Sequence, residues 1–106
     1  MKIYICASER FLEDGGTKLN KLIMNIHILG HEAVVPYDNV KLPSVEMSDQ
    51  EMAAYFMGVT IITVLGCDAV YLCKGWEDAE LCVVEKAVAE VRNLKVYTRL
   101  DEIPEE

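Results

Sequence analysis

The stretch Asp68-Ala69-Val70-Tyr71-Leu72-Cys73 decides the fold. One acid precedes an unbroken uncharged run. A run this short and this apolar fits a strand buried on both faces, as in a parallel sheet. Gly66 before it and Lys74-Gly75 after it punctuate the chain as turns.

Working outward toward the C-terminus, residues 74–78 read as a short loop. From Ala79 the apolar positions Leu81, Val84, Val88 and Val91 recur at helical spacing and predict a helix ending near Asn93. Lys95–Tyr97 reads as a further strand, and the acidic tail Asp101–Glu106 as frayed. Toward the N-terminus, Ser48 followed by Glu51 forms a capping box, which opens a helix running to Leu65 despite Gly58. Met52, Phe56, Val59 and Thr63 share one face of it. Residues 37–47, with Asp38, Asn39 and Pro43, read as a loop. Glu32–Val35 is a short strand closed by Pro36. Thr17 is the expected N-cap of a helix over Lys18–Leu29, whose apolar positions are Leu19, Leu22, Ile23, Ile26 and Leu29, with Gly30 as its stop. Lys2–Cys6 is the first strand.

Strand and helix thus alternate three times before a last strand, β-α-β-α-β-α-β. Such an order predicts a three-layer α/β/α, flavodoxin-like architecture with a parallel sheet of four to five strands. The 106 residues suit one domain over 1–106, and 52% hydrophobic content is enough for a packed core.

The formal net charge of -8 argues against a nucleic-acid partner or an anionic membrane surface, since both are held by Lys and Arg. A small-molecule ligand fits better. Cys6, Cys67, Cys73 and Cys82 form no C-x-x-C pair and have no histidine at metal-ligand spacing, so reduced structural thiols are expected, with no metal and no cofactor. Met1–Cys6 reads as a strand rather than a leader, and no apolar run reaches membrane-spanning length, so a cytoplasmic protein is expected.

Ligands of open parallel sheets bind beyond the carboxyl ends of the strands. The loop after Cys6 is long. Its Gly15-Gly16-Thr17 end is either a turn with a cap or an anion site at a helix N-terminus. Taking Leu81 as reference, Glu85 falls at the edge of the buried stripe of its helix. It is either an ordinary edge carboxylate reaching water or a functional one. Asp78, one heptad earlier, lies on the same edge, and its simplest role is the N-cap of that helix. Trp76 either caps the core or walls a pocket for a flat base.

Lys2-Ile-Tyr-Ile5, Gly30-His31-Glu32-Ala-Val-Val-Pro36, Cys67-Asp68-Ala-Val-Tyr-Leu72 and Gly75-Trp76-Glu77 followed by Glu85 resemble the nucleoside 2-deoxyribosyltransferase-like family, and within it the small, phage-associated branch. The resemblance implies that Glu85 is a nucleophile toward the anomeric carbon of a deoxyribosyl group, and that Tyr4 hydrogen-bonds it. It also implies Ala7, Ser8, Gly75 and Trp76 as substrate contacts, and Asp78, one residue from the family's usual acid position at Ala79, is the candidate acid by a shift of one residue. A homodimer or larger homo-oligomer is implied as well. Against the family pattern, Ala7-Ser8 replaces Gly-Pro. Ala79, Leu81 and Thr60 stand where sugar-binding or acidic residues are common, and Lys74 stands where the classical transferases carry an aspartate. Three readings therefore stand side by side. One is N-glycosidic cleavage or deoxyribosyl transfer on a nucleoside or nucleotide. The second is a binding module that keeps the pocket without the reaction, and the third is an oligomeric scaffold.

Overall fold

In the computed structural model, which describes residues 1–35 and 46–106, the elements run β1 (Lys2–Cys6), α1 (Thr17–Ile28), β2 (Glu32–Val34), α2 (Asp49–Leu65), β3 (Ala69–Leu72), α3 (Glu80–Val91) and β4 (Lys95–Tyr97). Short 3-10 turns lie at Arg10–Leu12, Trp76–Asp78 and Leu100–Glu102. The stop expected at Pro36 and most of the loop expected over 37–47 lie outside the described residues. The four strands form one parallel sheet in the order β2-β1-β3-β4, the flavodoxin-like arrangement expected. The Asp68 carboxylate accepts from the Lys2 N–H at 2.8 Å, and the Asp68 N–H donates to the Lys2 carbonyl at 2.9 Å, which sets the β1–β3 register.

Strand alternation sorts the core into two layers. Ile3, Ile5, Ala69 and Cys73 pack against Leu22 and Ile26 of α1. Tyr4, Cys6, Val70 and Leu72 face the other way, against Val64 of α2 and Cys82 and Ala89 of α3. β1 and β3 are central and covered on both faces, which is why their sequences show no polar alternation. Each sealed Leu or Ile contributes about 1.5–3 kcal/mol relative to exposure.

Four sequence expectations need correction. First, Thr17 does not cap α1. The Asp14 carboxylate accepts from Gly16 N–H and Lys18 N–H, both at 3.1 Å. The N-terminus of that helix is therefore occupied by the chain's own anion: Gly15-Gly16 form the turn, and Asp14 rather than Thr17 serves the free N–H groups. Second, Asp78 does not cap α3. Ala79 occupies the cap position in extended conformation, with no side-chain cap bond. The break removes Asp78 from the helical phase, so its heptad relation to Glu85 fails.

Third, the buried line of α3 is Cys82, Glu85 and Ala89, whereas Val91 is 79% exposed. Periodicity identified the helix, but its valines lie at the margin of the core, with Val88 packed against it and Val91 in solvent. On α2, likewise, Thr60 and Val64 are the buried positions. Fourth, the tail is docked. Ile103 is buried in the α1-side core, Pro104 O accepts from the ring of the buried His31 at 2.6 Å, and the Glu106 N–H donates to the Leu29 carbonyl at 3.0 Å. One buried apolar residue and two hydrogen bonds anchor this acidic tail. Gly30, at φ 90°, closes α1 and leaves room for that tail, since a Cβ there would lie 3.0 Å from Glu106 Cβ.

Candidate active site

β1 presents Tyr4 and Cys6 on the same face, two residues apart, toward α3. α3 presents Glu85 back toward them. The Tyr4 hydroxyl donates a hydrogen bond to Glu85 Oε2. The Cys6 thiol is close enough to the same carboxylate to favour its charged form. Tyr4 is fully buried and Glu85 is 3% exposed.

A carboxylate this deep is costly to ionise. Burial pushes the Glu85 carboxyl up to about 7, while the hydrogen bonds from Tyr4 and Cys6 pull against that rise. The group therefore changes charge near neutral pH. The surrounding thiols are pushed the opposite way from reactivity. Burial first, then the Glu85 charge, raises Cys6, and the same two causes raise Cys82 to about 11. Burial raises Cys73 to about 12. These thiols remain protonated, which lets Cys6 serve as a donor.

Beyond the carboxyl ends of β1 and β3 lies a cavity of about 520 Å³ whose lining includes Ser8, Arg10, Lys18, Lys74, Gly75 and Asp78. Ser8 is nearly buried, and its Oγ accepts from the Phe11 N–H at 3.2 Å. Gly75 turns the chain at φ 94°, a conformation side chains disfavour, and a Cβ there would lie 3.8 Å from Ser8 Oγ.

The structure thus brings Tyr4 and Glu85 together, and separately gathers Ser8, Gly75 and Asp78. Asp78 is exposed and lines the cavity, whereas Glu85 is buried and is not part of its lining. Ala7 is half-buried against the α1-side core. Trp76 packs against the core on the Tyr4 side, with the Lys86 ammonium 5.4 Å from its ring centre. Two features were missed in the sequence. Cys6 is more than the structural thiol its apolar surroundings suggest, since its spacing from Tyr4 puts both on one strand face. Arg10, Lys18 and Lys74 sit in or beside the loops that follow β1 and β3, where charge was the available signal. Among the described residues, no three His, Cys, Asp or Glu side chains are placed to hold a metal ion. Among those same residues, no helix is long and apolar enough to cross a membrane.

No protein-family model and no curated protein sequence matches the chain. Solved structures share its fold, among them the following two. A 2-deoxyribosyltransferase from Bacillus psychrosaccharolyticus matches with TM-score 0.67 at 20% identity, over 91% of this chain and 69% of that one. A CMP N-glycosidase from Clostridium botulinum matches with TM-score 0.59 at 16% identity, over 96% of this chain and 78% of that one. At such identities the likeness is one of fold.

Proposed function

We propose that this chain cleaves or transfers the N-glycosidic bond of a nucleoside or nucleotide, with Glu85 as nucleophile, and that it is a small, phage-associated member of the nucleoside 2-deoxyribosyltransferase-like family. The buried hydrogen bond from Tyr4 to Glu85 carries this reading. Both structures of like fold are described as acting on such compounds, one as a deoxyribosyltransferase and one as a CMP N-glycosidase. In this reading a Glu85 oxygen forms a bond to the anomeric carbon while the bond from that carbon to the base nitrogen breaks. The electron pair leaves with the base, and Asp78, at the cavity wall, supplies the proton. Water or a second base then attacks the same carbon, its proton passes to Asp78, and Glu85 leaves as carboxylate. The Tyr4 phenol holds the nucleophile in one orientation without taking its charge. Ser8, Ala7, Gly75 and Trp76 border the substrate.

At 3% exposure Glu85 is sealed from water, so the groups covering it must part before a sugar arrives. That seal favours a second reading, a module that binds such a ligand without turnover. The two are separated by assaying hydrolysis and base exchange over a panel of nucleosides and nucleotides, alongside thermal shifts. Turnover lost in Glu85→Gln supports the enzyme. Equal turnover in that variant removes Glu85 from the mechanism. Stabilisation by ligand without turnover supports the binding module.

A homodimer belongs to the same proposal. Ile62, Leu65 and Val91 are exposed on α2 and α3, and an apolar face of this kind fits a second copy. So does a cytoplasmic location, in keeping with four unpaired thiols.

A further inference from the structure

Glu85 is sealed from water, and the turn between β3 and α3 stands between the cavity and the core that holds it. Gly75 and Asp78 line the cavity, whereas Trp76, next to Gly75, does not. Its ring packs instead on the buried cluster that includes Tyr4, Cys6 and Cys82. One short 3-10 turn, Trp76–Asp78, thus has one side on the hollow and the other on the Glu85 side of the sheet. Among the described residues its backbone bonds are local. The Trp76 N–H donates to Cys73 O at 3.1 Å, the Asp78 N–H to Gly75 O at 3.2 Å, and the Ala79 N–H to Trp76 O at 3.1 Å. Gly75 precedes the turn at φ 94°, and Ala79 follows it, extended at φ -111° and ψ 115°. Neither joint belongs to a helix or a strand, and such positions absorb hinge motion. On its outer side the Lys86 ammonium faces the Trp76 ring. Lys86 follows Glu85 in the chain, and Glu90, one helical turn on, pairs with it.

We propose that residues 75–79 form a gate between the cavity and Glu85, closed by Trp76 and latched by Lys86. The inference rests on the N-glycosidic reading of Glu85 and supplies the movement that reading requires. Swinging at Gly75 and Ala79 lifts the indole off its apolar seat and opens a way from the hollow to the carboxylate. The ladder between β1 and β3 is left intact, so the gate moves without unfolding the sheet. Lys86 is a positioning residue, since it acts on the indole and not on the substrate. A cation–π contact at a part-exposed lysine biases an equilibrium about two- to fivefold. That is the scale on which the latch holds the gate shut.

Trp76 is the single tryptophan of the chain, so its emission reports the gate without a label. The test measures three quantities on the full chain. They are quenching of that emission by acrylamide, the rate at which a carbodiimide labels Glu85, read by mass spectrometry, and kcat/KM for deoxyadenosine and deoxycytidine against pH. Lys86→Met keeps a long apolar stem and removes the charge. All three should rise in it, by about two- to fivefold for labelling and kcat/KM. The acid limb of kcat/KM should also move to lower pH, because a Glu85 reached by water loses part of the burial that raises it. Lys86→Arg restores a cation over the ring and should return each quantity toward the parent. Ile103→Ala weakens the core on the opposite face of the sheet. It should leave quenching and labelling unchanged, which separates opening of the gate from a general loss of stability. An unchanged labelling rate in Lys86→Met overturns the gate, even if quenching rises, and turnover by the parent then leaves the Glu85 reading standing. Faster labelling in Lys86→Met with no turnover in any form supports the gate and overturns the Glu85 reading.

Discussion

Replacing Glu85 by glutamine should make the protein more stable at alkaline pH. The carboxyl ordinarily titrates at 4.5 and here titrates at about 7, chiefly because it is buried. Its folded-state value lies above the unfolded one, so the folded state holds the proton more tightly. The stabilisation linked to that proton is complete below pH 4.5 and is lost as pH rises through about 7. With 1.36 kcal/mol per unit of pKa, the loss between pH 5 and pH 8 is about 2–3 kcal/mol. Glutamine has nearly the same shape and keeps an oxygen for Tyr4, but it cannot ionise. The variant should therefore lose little between pH 5 and pH 8 from this site. Urea denaturation of both proteins at half-unit steps across that range measures the difference directly. Subtracting the two curves cancels every other titrating group, including Glu51 and Glu102, whose lowered values place their transitions at more acid pH. Parallel curves, with no widening gap above pH 6, would refute the assignment of a buried, near-neutral carboxyl to Glu85.

Tyr4→Phe keeps the ring in place but removes a donor that lowers the Glu85 value, so the acid limb of kcat/KM, expected near pH 7 in the parent, should move to higher pH. A stability loss of about 1–3 kcal/mol should accompany it, and Cys6→Ala should shift the limb the same way by less. Ile103→Ala should cost about 2–4 kcal/mol in denaturant unfolding, because its side chain is sealed in the α1-side core; a change within 0.5 kcal/mol would mean that the tail does not anchor there. Val91→Asp places a charge on the apolar edge of α3, and light scattering coupled to size exclusion should show the parent as a dimer and the variant as a monomer.

The architecture was legible because it follows from local signals that agree with each other. The capping box at Ser48 and Glu51 is present as read, with Glu51 N–H donating to Ser48 Oγ at 3.2 Å and Glu51 Oε1 accepting from Ser48 N–H at 3.1 Å. The run after Asp68 is a central strand covered on both faces. What the sequence concealed was rotation about a helix axis. In α3, Leu81, Val84, Val88 and Val91 form a consistent apolar stripe, and so do Cys82, Glu85 and Ala89 once the glutamate is allowed inside. Hydrophobicity alone selects the first. The second is selected by Tyr4 and Cys6, which lie more than seventy residues away in the chain and supply the partners that make a buried carboxylate tolerable.

The same reasoning explains why the cavity escaped notice. Arg10, Lys18 and Lys74 are separated in sequence and each stands among acids or apolar residues, so no basic run exists to be read. Only the parallel topology, which brings the ends of β1 and β3 side by side, gathers three scattered charges around one cavity. Function in such a sheet is therefore written in two parts. A central strand, whose own alternation can be read directly, fixes the pair at Glu85. The charge around the hollow depends on which strands are neighbours, so it becomes visible only when the order β2-β1-β3-β4 is known. If the substrate spans both parts, a change in the cavity should alter which compounds are accepted, while a change at Tyr4 should alter the pH at which any of them reacts. A variant of Lys74 that moved the pH profile as far as Tyr4→Phe does would show that the two regions are not the separate functional units described by this division.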